Sequence, residues 1–228
     1  KCIGLPQYSM SISEGRLYAR MGSPVTCSSN AELRPEFASE LVCLDLTREG
    51  KVVWTRASHD LIPEGPQWRF EGSPTVIGGR AYIALSRRTP QLEVVVACLD
   101  ASDGRAIWQR SIGSFRTSVE EKFNRVSHLL LTAGGGRIFL STDVGAIVAL
   151  DARDGRLDWA ISYESRVEDA GEAAGGNGWR NGPPPLFFGG FLFAAPGDAN
   201  SAFCIEADSG RVRWQFSYVR NTPDGLPE

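Results

Sequence analysis

The feature that most constrains this chain is that its sequence repeats. The segments LVCLDLTREGKVVW (41–54), VACLDASDGRAIW (96–108), IVALDARDGRLDW (147–159) and AFCIEADSGRVRW (202–214) share an aliphatic or small-residue run, an acid, a glycine, a basic residue and a tryptophan. The acids are Asp45, Asp100, Asp151 and Glu206, the glycines Gly50, Gly104, Gly155 and Gly210, and the tryptophans Trp54, Trp108, Trp159 and Trp214. Internal spacing is constant apart from one extra residue before Gly50. A recurring unit of roughly fifty residues marks a repeat architecture, in which each unit buries its apolar faces against its neighbours.

Each segment reads as a hairpin: an apolar strand, a tight turn closed by a glycine able to take positive φ, and a second strand ending in tryptophan. A second hairpin precedes each one, in YSMSISEGRLYARMG (8–22), GSPTVIGGRAYIALS (72–86), HLLLTAGGGRIFLST (128–142) and PPPLFFGGFLFAAP (183–196). Two hairpins make a four-stranded antiparallel sheet, and small sheets that are apolar on both faces stack radially as the blades of a β-propeller. The expected fold is therefore all-β, with four blades at about 8–57, 72–111, 128–162 and 183–218 in a single propeller segment. The 25 glycines and 13 prolines among 228 residues supply turns and argue against long helices, and the 42% of hydrophobic residues suffice for packed cores.

These acid-x-x-x-Gly-x-x-x-Trp units resemble the repeats of pyrroloquinoline quinone (PQQ)-type β-propellers, the family of the quinoprotein alcohol dehydrogenases and of the outer-membrane assembly lipoprotein propeller. The resemblance covers essentially the whole chain. It implies tryptophan docking, in which the rings of Trp54, Trp108, Trp159 and Trp214 pack on the Gly50, Gly104, Gly155 and Gly210 regions of adjacent blades. Tryptophan-aspartate repeats are disfavoured, since none of these tryptophans precedes an aspartate. Propellers of the family have seven or eight blades. Four blades therefore suggest part of a larger ring, with a closed four-bladed propeller or a dimer that completes eight blades as the alternatives.

In an up-and-down sheet alternate connections fall at opposite ends of the strands. The short glycine turns share one face. The connections at about 22–39, 87–92, 143–145 and 196–200 and the links between blades share the other, and their varied lengths suit function-bearing loops on a rigid scaffold. The candidate binding residues on this connection face are Arg87, Arg88, His128, Asp143, Trp179, Arg180 and Asp198, alongside Trp68, Arg69 and His59. Trp179, flanked by glycines and Arg180, is either an exposed anchor for a protein or planar ligand or a ring that folds inward to cap the core. His128 and Asp143 bracket the first two strands of the third unit and either meet near the ring axis or serve structure alone. The repeated acids Asp45, Asp100, Asp151 and Glu206 read as acceptors for amides of their own turns, because a catalytic group has no reason to recur in every unit.

Five cysteines with no C-x-x-C pair give neither a disulfide framework nor a metal motif. Cys43, Cys98 and Cys204 share the third-strand site that Ala149 fills in the third unit, which marks them as packing thiols, while Cys2 and Cys27 lie outside the series. The resembling dehydrogenases imply a calcium-bound PQQ, a catalytic aspartate and adjacent cysteines; this sequence has no vicinal cysteine pair. No cofactor is expected, PQQ with calcium belonging only to the reading as part of a dehydrogenase. The favoured reading is a non-catalytic scaffold or partner-binding module within a larger bacterial protein, and a glycan- or peptide-binding propeller is a further alternative. The expected partners are a protein or the remaining blades. A net charge of −3 argues against nucleic acid. The longest nearly apolar stretch, 186–195, is about half the roughly 20 residues of a spanning helix. The resemblance implies an extracytoplasmic location, in the periplasm or at the cell surface.

Overall fold

The computed structural model describes residues 10–21, 39–63, 68–87, 91–115, 129–142, 144–165 and 183–218. They form four antiparallel sheets in chain order, the blades of a propeller arc. Blade I comprises β1 (Met10–Ser13), β2 (Arg16–Met21), β3 (Glu40–Asp45) and β4 (Lys51–Ala57). Blade II comprises β5 (Arg69–Phe70), β6 (Thr75–Ile77), β7 (Arg80–Arg87), β8 (Leu92–Asp100) and β9 (Ala106–Phe115). Blade III comprises β10 (Thr132–Gly134), β11 (Arg137–Ser141), β12 (Ala146–Asp151) and β13 (Leu157–Ser162). Blade IV comprises β14 (Leu186–Phe188), β15 (Phe191–Ala194), β16 (Ser201–Glu206) and β17 (Val212–Ser217). The only helical elements among the described residues are the one-turn helix α1 (Ser58–Leu61) and a 3-10 turn at Leu46–Arg48.

Blade II departs from the simple pattern. Its first strand is in two pieces, because four residues (71–74) stand opposite Ile83 and Ala84 between the β5 and β6 pairings with β7. The sheet thus starts at Arg69, ahead of residue 72. Pro74, which has no amide hydrogen to give to a ladder, lies in this bulge.

First strands of successive blades neighbour one another, β1 beside β6, β6 beside β10 and β10 beside β14, so they line the axis and the fourth strands lie outside. The inner hairpins turn on Glu14–Gly15, Gly78–Gly79, Gly135–Gly136 and Gly189–Gly190, all with positive φ. Two consecutive positive values are the turn whose twist matches that of a hairpin, and glycine takes them without strain. In the outer hairpins each tryptophan stands opposite a small residue: Cys43 with Trp54, Cys98 with Trp108, Ala149 with Trp159 and Cys204 with Trp214. A register shift follows that small residue in every blade. Such a bulge re-aims side chains and adds twist, and a thiol or methyl opposite leaves room for the indole.

The apolar interior is layered. One cluster joins blades I and II around Leu41, Phe70 and Ile83, a second joins II and III around Val96, Ile138 and Leu150, and a third joins III and IV around Phe139, Leu192 and Ile205.

Candidate functional site

The two ends of the blades differ in how their polar groups are used, and the difference starts from the repeated turns. At the outer turns Asp45, Asp100 and Asp151 accept from the amides of Thr47, Ser102 and Arg153 at 2.9, 2.8 and 2.7 Å. The Thr47 hydroxyl holds the Asp45 carboxyl below the usual carboxylate range, the Ser102 hydroxyl does so for Asp100, and the Arg153 amide for Asp151. Glu206, one methylene longer, accepts from the Ser209 hydroxyl and from Arg211 and Arg213 instead, and the Arg211 guanidinium lowers it to about 2. All four are ionised at neutral pH and engaged within their own hairpins.

The same turns receive the preceding blade. A Cβ added at Gly104 would lie 2.8 Å from the Trp54 ring, one at Gly155 would lie 2.5 Å from Trp108, and one at Gly210 would lie 2.8 Å from Trp159. The indole N–H groups of Trp54, Trp108 and Trp159 donate to the carbonyls of Ala101, Ala152 and Ala207 at 3.1, 3.3 and 2.8 Å. Tyr18 and Tyr82 donate to the first two of these carbonyls. Arg16 and Arg80 reach the same turns, and Arg56 and Arg110 donate to the carbonyls of Gly104 and Gly155 at 2.9 and 2.8 Å. Nearer the axis the hydroxyls of Ser11, Thr75 and Thr132 donate to the carbonyls of Pro74, Leu131 and Pro185. Sequence reasoning missed these hydroxyls, tyrosines and arginines, although each stands at a fixed offset from a turn glycine or a docking tryptophan. Among the described residues Trp214 and Gly50 have no such counterpart: the ring is 48% exposed, and nothing lies within 4 Å of a Cβ at Gly50.

At the opposite end, Arg87 closes β7 and donates to both carboxylate oxygens of Glu93 at 2.8 and 2.7 Å. Its guanidinium lies 5.1 Å from the centre of the buried Trp68 ring, a cation–π arrangement. The preceding residue of β7, Ser86, donates its hydroxyl to the buried Glu71 carboxylate. Arg20 of blade I donates to the Phe70 carbonyl at 2.9 Å; burial lowers its pKa while the Glu71 charge opposes that shift. In blade IV, Asp198 is buried and accepts from the Tyr163 hydroxyl at 2.7 Å. Among the described residues, the buried side-chain atoms with no hydrogen-bond partner are Trp68 Nε1, Arg87 Nε and Asp198 Oδ2. All three fall on this connection face. His59 is exposed at the surface, 3.5 Å from Asp60. Arg88, His128, Asp143, Trp179 and Arg180 lie outside the described residues.

Cys43, Cys98 and Cys204 are free thiols buried beside the tryptophans, and burial raises their pKa values, that of Cys98 to about 11. They are packing groups with little thiolate character. Among the described residues no three histidine, cysteine, aspartate or glutamate side chains come together as metal ligands. Nor, among them, is any helix long and apolar enough to cross a membrane.

Residues 37–171 match the family described as outer membrane protein assembly factor BamB. The quinohemoprotein alcohol dehydrogenase ADH-IIG of Pseudomonas putida is 27% identical over 158 residues, which are 69% of this chain and 21% of that protein. Among solved structures, BamB from Moraxella catarrhalis superposes with a TM-score of 0.55 at 16% identity, over 95% of this chain and 50% of that one. The quinohemoprotein alcohol dehydrogenase of Comamonas testosteroni superposes with a TM-score of 0.56 at 13% identity, over 95% of this chain and 35% of that one. At these identities the structural likeness shows the fold. The chain spans half or less of the length of each of these relatives.

Proposed function

Because the chain belongs to the outer membrane protein assembly factor BamB family of PQQ-type propellers, we propose that it is a non-catalytic propeller scaffold that binds a protein partner through its connection face. The observation that carries this reading is the segregation of unpartnered polar atoms. Among the described residues, Trp68 Nε1, Arg87 Nε and Asp198 Oδ2 are buried without a partner at one end of the blades, whereas at the other end the repeated acids are engaged within their own hairpins and the tyrosines and arginines hold blade to blade. A buried donor or acceptor left unsatisfied costs about 1–3 kcal/mol, so these atoms mark the end of the blades where the fold's own polar pairing is incomplete. The family description concerns outer membrane proteins, and the partner class that fits it is a polypeptide outside the cytoplasm. A photo-cross-linking residue placed at Arg87 or Asp198 in cells is expected to capture a protein, and one at Ile77, beside the glycine turns, is not. Equal capture at the two ends overturns the reading.

The alignment with the Pseudomonas putida dehydrogenase favours a second reading more directly than the first, namely that the chain is a segment of a PQQ- and calcium-dependent quinoprotein dehydrogenase. When bound, that cofactor supplies the oxidising quinone. Arg87 and Asp198 are of types that can meet a carboxylate and a cation, but the described residues bring together no ligand set for calcium, and no catalytic step is derived from them. Titrating PQQ into the purified protein with and without calcium separates the readings. A calcium-dependent change in PQQ fluorescence supports the dehydrogenase segment, and no change at cofactor concentrations far above those of the protein supports the scaffold.

A further inference from the structure

We propose that the joint between blades III and IV is a hinge, which pivots near the axis and opens at the outer rim, while the joints between blades I and II and between blades II and III are locked. The lock at the first two joints is a set of directed bonds that repeats residue for residue. In the first strands Ser11 and Thr75 donate across the joint near the axis. In the second strands Arg16 and Arg80 each donate to two consecutive carbonyls of the next blade's turn, and Tyr18 and Tyr82 donate to the first of the two. At the rim Arg56 and Arg110 donate to the Gly104 and Gly155 carbonyls. A hydrogen bond weakens steeply away from its preferred direction, so each of these fixes the angle at which one sheet meets the next.

The same positions are filled differently between blades III and IV. Phe139 pairs with the small residue of the third strand as Tyr18 and Tyr82 do in their blades. Ile161 follows Trp159 by two residues, as Arg56 follows Trp54 and Arg110 follows Trp108. Neither side chain donates, so the Ala207 and Gly210 carbonyls receive no bond from these two positions. Arg137, the counterpart of Arg16 and Arg80, turns to the carboxylates of Asp158 in its own blade and Asp208 in blade IV, at 3.0 and 2.8 Å. The Asp208 side chain is 87% exposed, and salt screens an ion pair of that kind.

The contacts that persist lie nearer the axis. Thr132 donates to the Pro185 carbonyl, the Phe187 ring of β14 lies against Gly134 of β10, and Trp159 keeps its bond to Ala207 at 2.8 Å. Toward the rim the joint is filled by Ile161, Phe203 and Ile205, whose apolar contact carries no preferred direction. A joint bonded at its inner edge and filled with apolar groups beyond it turns about that inner edge as a rigid-body motion. At the connection end the Tyr163 hydroxyl, just past β13, donates to Asp198 of blade IV. Opening of the hinge parts this pair and bares a carboxylate that is otherwise buried.

The experiment is double electron–electron resonance on the 228-residue chain. Nitroxides are carried by an unnatural amino acid at equivalent exposed positions of the outer strands, in the pairs Val52 with Ala106, Ala106 with Leu157, and Leu157 with Val212. The distance distribution for Leu157 and Val212 is expected to be broader than the other two, and broader again at about 1 M salt, where the Debye length falls to about 3 Å. Blades I and IV each have one neighbouring blade among the described residues, so Val52 with Ala106 is the like control. Phe139→Tyr with Ile161→Arg supplies the two missing donors and is expected to narrow the Leu157–Val212 distribution to the width of the others. Tyr82→Phe with Arg110→Ile removes those donors from the neighbouring joint and is expected to broaden the Ala106–Leu157 distribution. Equal widths at the three joints of the wild-type chain overturn the proposal, whether or not the variants fold. A Leu157–Val212 width left unchanged by Phe139→Tyr with Ile161→Arg, in a chain of unaltered circular dichroism, overturns it as well.

Discussion

Trp159 and Trp214 are the same residue of the same repeat, yet 9% of one and 48% of the other is exposed. Trp159 lies over Gly210 and donates to the Ala207 carbonyl, so Trp159→Ala removes a packed ring and leaves that carbonyl without its indole donor. The expected loss is about 3–5 kcal/mol in urea denaturation, with a smaller loss for Trp214→Ala, whose ring is half-exposed. Glu206 offers a test in pH. Its carboxyl is held near 2 by Arg211, below the ordinary value of the unfolded chain, so the charge stabilises the fold above the usual carboxylate range and that contribution fades as pH falls toward 2. Wild type is therefore expected to exceed Glu206→Gln in stability at pH 7, with the gap narrowing through pH 4 and closing near pH 2. The acceptor role of the repeated aspartates was legible because repetition at one turn position points to the turn; that of Glu206 differs because its longer side chain reaches arginines in place of its own amides.

At the scale of the element, β10 and β14 show a contact that no local pattern announces. Gly134 ends β10, and a Cβ there would run into the Phe187 ring of β14, which itself stacks on Phe139 at 5.8 Å. Gly134→Ala is expected to destabilise by about 1–3 kcal/mol through overpacking. Because the clash is with one ring, Phe187→Ala in the same chain is expected to relieve part of it, and a double-mutant cycle measured by denaturation reads this as non-additivity. Additive losses would show that the strain lies elsewhere. The hairpins themselves were readable from glycine pairs and alternation. The divided first strand of blade II was not, because its two pieces are defined by where β7 pairs, not by any change in their own composition.

For the whole molecule, stability resides in three layers between blades and not in one core. Blades II and III are covered on both faces, whereas I and IV are covered on one, and in such arrays end units open first. Hydrogen exchange is expected to protect the amides of β7, β8, β11 and β12 most and those of β1, β2, β16 and β17 least. The sequence by itself determined the four-blade, all-β architecture and the turn positions, because each rests on short-range patterns stated four times over; the docking of tryptophans on the glycines of adjacent repeats was what the family resemblance implied, and it holds for Trp54, Trp108 and Trp159. Only the tertiary structure decided that the tyrosines, arginines and hydroxyls converge on the next blade's carbonyls, that Arg87 lies over Trp68, and that Trp214 and Gly50 stay uncovered. The bonds to those carbonyls join residues from 45 to 86 positions apart, and their meeting depends on how one twisted sheet is set against the next.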